Sequence, residues 1–122
     1  MKAYQPKSFQ RAANAEGVAD PDCREALRRA EKGLIDADLG GGLIKQRIPR
    51  RNQGAARGLR AVLFYKRGEL AIFLHLFAKS AKANLTKSEL AEYRKLAGFL
   101  DSLTEAQFEE LSAKRGWKEL VL

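Results

Sequence analysis

Residues 59–77, LRAVLFYKRGELAIFLHLF, decide the fold. Two apolar runs, LRAVLFY and LAIFLHLF, flank KRGE, whose Gly68 can take the left-handed conformation that a tight hairpin turn requires. Aliphatic or aromatic side chains stand at odd and even positions alike, so neither face of either run is polar, which marks the pair as the central strands of a sheet. In the second run His75 alternates with Phe73 and Phe77 and reads as a packed histidine.

Working outward toward the N-terminus, LIDADL (34–39) and LIKQRI (43–48) read as two further strands joined through the glycines at 40, 41 and 42. Alternation in the second puts Ile44, Gln46 and Ile48 on one face and Leu43, Lys45 and Arg47 on the other. Pro49 ends it, and RRNQGAARG (50–58) is a basic, glycine-containing loop. Earlier still, Phe9, Ala12 and Ala13 predict a short helix over 7–15. Asp20 as N-cap, Pro21 at the first helical position, the apolar stripe Ala26, Leu27, Ala30 and the stop at Gly33 predict a second from Pro21 to Lys32. Cys23, in its first turn, reads as a small half-buried residue.

Toward the C-terminus, Thr86 with Glu89 and Thr104 with Gln107 are two capping boxes. The first opens a helix whose inward stripe is Leu90, Tyr93, Leu96, Ala97 and Leu100; the second opens a shorter one with Phe108 and Leu111 inward, ending at Gly116. The tail from Trp117 to Leu122 reads as a last edge strand or a clamp on the core. The expected architecture is α+β: one domain over 1–122, with a small antiparallel sheet of about four strands and the N-terminal and C-terminal helices packed on one of its faces.

Composition excludes several classes of function. Cys23 is the single cysteine and His75 the single histidine of 122 residues. No intramolecular disulfide, Cys/His zinc site or two-histidine mechanism can be built from them, and no metal or other cofactor is expected. MKAYQPKSFQRAANAEG lacks the apolar core of a signal peptide and no run approaches the length of a membrane span, so a cytoplasmic protein with no membrane partner is expected.

The charge is concentrated. Between Leu43 and Lys82 lie ten basic residues, Lys45, Arg47, Arg50, Arg51, Arg57, Arg60, Lys66, Arg67, Lys79 and Lys82, against the single acid Glu69. The remainder holds thirteen basic residues against fourteen acids, so the net charge of +8 resides in this segment. Clustered cations direct their field at one polyanion, the footprint of a surface that neutralises phosphates.

Three motifs inside this segment, GGGLIKQRIPR, then GLR ahead of an apolar strand, then FAKSAKANLTKSEL, follow in an order that resembles the RelE/ParE superfamily of bacterial type II toxins, in particular its HigB-like branch. The resemblance covers about residues 34–100 and implies a RelE-like fold. It also implies an endoribonuclease, an mRNA interferase, that cuts mRNA in the ribosomal A site and is held inactive by a cognate antitoxin, a small helix-turn-helix protein in HigB-like operons. Metal-independent RNA cleavage sends the ribose 2′-hydroxyl against the neighbouring phosphate; it needs a base, charge stabilisation of the transition state and an acid for the leaving 5′-oxygen.

Carried over by motif, the resemblance makes Lys45 the base, has Arg47 and Arg60 grip the scissile phosphate, and has Lys79, with Lys82 behind it, supply charge or the leaving-group proton. Arg50, Arg51, Arg57 and Lys82 would hold RNA of the message or the ribosome. The chain departs from the pattern at Leu59, where many relatives place an aromatic, and no tyrosine is an assured equivalent of theirs: Tyr65 and Tyr93 read as core, and Trp117 as a clamp. Two other readings stay open: a ParE-like inhibitor of DNA gyrase, and a non-catalytic protein that binds RNA or the ribosome.

Overall fold

The computed structural model describes residues 1–48, 58–78 and 85–122. Along the chain run Lys2–Gln5 (β1), Lys7–Glu16 (α1), Asp20–Glu31 (α2), Ala37–Gly40 (β2), Leu43–Ile48 (β3), Leu59–Lys66 (β4), Leu70–Ala78 (β5), Lys87–Ser102 (α3), Glu105–Lys114 (α4) and Lys118–Leu120 (β6). The strands form one sheet in the order β2-β3-β4-β5-β1-β6. Its centre is the hairpin of β4 and β5, turned at Gly68 with φ +76°.

Two expectations about the sheet are corrected. It has six strands among the described residues, and β1 runs parallel to β5, so it is not wholly antiparallel. The helices do not share one face. Alternation along β4 sends Leu59, Ala61 and Leu63 to a core built with Phe9, Ala13, Cys23, Ala26, Leu27 and Ala30 of α1 and α2. It sends Val62 and Phe64 to a second core with Ala97, Leu100 and Phe108 of α3 and α4. Strands apolar on both faces need a cover on both, and the four helices divide to supply it.

Local chemistry fixes the elements. Thr86 and Thr104 cap α3 and α4, each accepting from the backbone N–H three residues on at 3.1 Å, with the Glu89 and Gln107 side chains returning the bond. At α2 the cap is Ala19 and not Asp20: the Asp22 carboxylate accepts from the Ala19 N–H at 2.9 Å, and the helix begins at Asp20. In the β2–β3 turn Gly42 has φ +84°, and a Cβ there would stand 2.9 Å from the Phe64 ring, so the turn closes only over glycine. Cys23 is fully rather than half buried, with the Gln5 amide donating to its sulfur at 3.4 Å, and burial pushes the thiol up to about 12.

Candidate active site

Lys45, Arg47 and Arg60 meet because β3 and β4 are in antiparallel register: Arg47 lies directly opposite Arg60, and Lys45 opposite Val62. All three therefore project from the face that carries Val62 and Phe64, toward the α3 side. That face is covered rather than open, contrary to the expectation of a bare sheet surface. Arg60 is buried, with its side chain 8% exposed, and the Lys45 side chain is 17% exposed.

A buried guanidinium needs a counter-charge, and Asp36 provides it. Its Oδ2 accepts from Arg60 Nε at 3.2 Å and lies 3.7 Å from Lys45 Nζ. Arg60 also donates through Nη1 to the Leu59 carbonyl at 3.3 Å. Asp36 is held in turn: its N–H donates to the Lys45 carbonyl at 3.1 Å and reaches Gln46 Oε1 at 3.2 Å. Gln46, buried on the opposite face, donates to the carbonyls of Ala26 at 2.9 Å and Leu34 at 3.0 Å, so a network through α2 anchors the carboxylate. Among the described residues these three cations face one acid, Asp36, in a partly buried setting where charge is felt more strongly than in water.

His75 arrives here through an irregularity in β5. Val62 pairs with His75 while Leu63 pairs with Phe73, so Leu74 is an extra residue, a β-bulge. Strict alternation fails as a result: Phe73 packs on Phe9 in the α1–α2 core with ring centroids 5.0 Å apart, whereas His75 turns to the α3 side. There its ring lies 5.7 Å from Phe77, the cross-strand neighbour of Arg60, and 5.5 Å from Tyr93 of α3. Burial first, and the charge of Glu89 second, push the Tyr93 phenol above its ordinary value.

Asp36 and His75 are the two residues of this cluster that the sequence reading did not place in it. The other expected positions divide. Lys79, Arg50, Arg51, Arg57 and Lys82 lie outside the described residues. Tyr65 is on the opposite face from Lys45, Arg47 and Arg60, packed against the α1–α2 core, its hydroxyl donating to Glu31 and its phenol pushed up by burial and by that carboxylate. Among the described residues no group of three or more His, Cys, Asp or Glu is placed to hold a metal ion, and no helix is long and apolar enough to cross a membrane.

In comparison with known families, the one described as RelE toxin of RelE / RelB toxin-antitoxin system matches residues 1–120, a span that includes all ten elements. The chain belongs to the RelE toxin family. No curated protein matches its sequence. As a RelE-family toxin it is one half of a toxin-antitoxin system, and an antitoxin is its partner. The Lys45, Arg47, Arg60 cluster thus sits on the sheet of a RelE-family toxin, on the face shared with α3.

Proposed function

We propose that this RelE-family toxin is a metal-independent endoribonuclease that cuts mRNA, on the ribosome, in the cytoplasm, and so arrests translation until an antitoxin, a small helix-turn-helix protein as in HigB-like operons, binds it. The observation that carries the reading is the cross-strand pair Arg47 and Arg60 with Lys45 beside them on one face. Two guanidinium groups at directly opposed positions of one face can both donate to an anion placed between them. A phosphate flanked by two guanidinium groups is stabilised most when its negative charge grows, which is the transition state of 2′-hydroxyl attack.

In this mechanism Arg47 and Arg60 hold the scissile phosphate and Lys45 carries the proton transfer at the 2′-hydroxyl. An ammonium has no lone pair, so Lys45 must first leave Asp36 and give a proton to solvent; the amine then takes the 2′-hydroxyl proton. Lys79 is proposed for the leaving 5′-oxygen, and Arg50, Arg51, Arg57 and Lys82 for RNA of the message and ribosome. The same Lys45–Asp36 contact favours a second reading, a protein that binds RNA or the ribosome without cutting it.

Induction in a host that lacks the antitoxin separates the possibilities. Growth arrest with message ends at codon-phased positions is the expected result. Intact message with the toxin on ribosomes selects the non-catalytic reading, and intact message with a DNA gyrase phenotype selects the ParE-like one.

A further inference from the structure

On the α3 side of the sheet, beyond Tyr93, is a cavity of about 380 Å³ whose lining includes Lys7, Leu74, Tyr93, Leu96, Arg115 and Trp117. Its walls come from distant parts of the chain, brought together where α1 begins and α4 ends. Gly116 makes the junction close: a Cβ there would stand 2.5 Å from Lys7 Cε, so the Lys7 stem crosses the chain between Arg115 and Trp117. The Gln10 amide donates to the Gly116 carbonyl at 3.2 Å, and the Trp117 N–H to the Ser112 carbonyl at 2.9 Å, which fixes the indole's backbone. The indole is half buried, edge-on to Phe108 at 5.9 Å.

The chemistry of this lining is selective. It offers an indole, a phenol and two leucines as apolar surface, two cations, and no carboxylate. Among the described residues neither Lys7 nor Arg115 makes a salt bridge or side-chain hydrogen bond, whereas Lys2, Lys66, Lys114 and Lys118 are each paired with an acid. An occupant that satisfies both halves is aromatic at one end and anionic at the other. The volume is at the scale of a site for one small ligand. Tyr93 also connects the cavity to the cation cluster, since its ring meets His75, which lies across Val62 from Lys45. Two strand spacings, about 10 Å, separate β3 from β5.

We propose that this cavity binds one nucleotide of the RNA strand whose phosphate lies on Arg47 and Arg60, with the base against Trp117 and Tyr93 and a phosphate on Lys7 and Arg115. The inference rests on the RNA-directed reading above. Base stacking on aromatic residues accounts for much of single-strand binding, and truncating one such platform lowers affinity by about 5- to 150-fold.

Trp117 is the only tryptophan, so tryptophan fluorescence comes from this cavity's wall. The full chain is titrated with AMP, CMP, GMP, UMP and inorganic phosphate. A saturable change with nucleotides is expected, at least tenfold tighter than with phosphate, and weakened at least tenfold by Lys7→Glu with Arg115→Glu. Both positions are exposed, and circular dichroism checks that the double variant folds. No saturable change, a change that the double variant leaves intact, or phosphate binding as tightly as nucleotide overturns the proposal. A toxin that cuts RNA while Trp117 stays silent overturns the cavity alone; a Trp117 response in a protein that cuts no RNA overturns the nuclease reading and leaves the cavity standing.

Discussion

The Asp36 carboxylate accepts the Nε–H of Arg60 at 3.2 Å and supplies the counter-charge that this buried guanidinium needs. Removing a single partner of a buried pair leaves the other charge uncompensated, the costly way to break it. Asp36→Ala should lower stability by about 1–3 kcal/mol, with the partial exposure of Asp36 keeping the loss below that of a fully buried pair. Asp36→Asn keeps an acceptor for Arg60 but removes the charge, and should cut RNA cleavage about tenfold while costing less stability. Urea melts and primer extension on message from induced cells check both; faster cleavage by Asp36→Asn would show the carboxylate to be a brake on Lys45.

Arg47 stands directly across from Arg60. Arg47→Gln keeps a polar side chain at this position and removes the guanidinium, and should abolish toxicity with the fold intact. Thermal melts check the fold and growth curves read the effect. A folded variant that is equally toxic would remove Arg47 from the phosphate grip.

The residues differ in how plainly they declared their places. Lys45, Arg47 and Arg60 were legible because LIKQRI alternates and GLR leads into an apolar strand, and period 2 then sets the face. That the face was covered was missed: the helices were expected on one side, although LRAVLFY and LAIFLHLF, apolar on both sides, need a cover on both. β1, with four residues, is too short to carry a period, and pairing with the distant β5 and β6 defines it; the edge strand β6 lies in the tail where one of the two readings put it. The bulge at Leu74 leaves no mark in LAIFLHLF, since any slip among uniformly apolar residues looks alike, so His75 was assigned by an alternation that the backbone breaks. Asp36 was hidden for another reason. Its role comes from a side-chain bond to a residue 24 positions away.

Cys23 sets a pH limit on the fold. Its folded value, about 12, lies above the ordinary 9.0 because burial disfavours the thiolate, with the charges of Asp20 and Asp22 adding to the effect. The unfolded chain therefore releases this proton first as pH rises, and the native state is favoured by the full difference only below pH 9. Stability should fall between about pH 9 and 12. Cys23→Ala should flatten that decline at some cost in packing at neutral pH, as read from urea midpoints across the range. An unchanged slope would place the alkaline sensitivity elsewhere, with Tyr65, whose phenol is also pushed up by burial and Glu31, the next group to test by Tyr65→Phe.

Gln46 joins stability to the site more directly than any catalytic side chain, because its amide serves both cores' neighbours at once. It donates to Ala26 and Leu34 and accepts from Asp36, all from a position that is 2% exposed. Gln46→Leu fills a similar volume yet takes the side-chain donor from two carbonyls, each worth about 1–3 kcal/mol where no water replaces the bond, while the Asp36 N–H keeps the Lys45 carbonyl. A loss of roughly 2–4 kcal/mol is expected, softened by water reaching the half-exposed Leu34 side. Gln46→Glu keeps the acceptor for Asp36 and gives up the donors, so it should lose stability as well while holding Asp36 nearer its place. At a temperature where both variants are folded, Gln46→Leu should therefore cleave RNA more slowly than Gln46→Glu. Equal cleavage by the two would mean that Asp36 needs no anchor, and that the Arg60 guanidinium orders the carboxylate rather than being ordered by it.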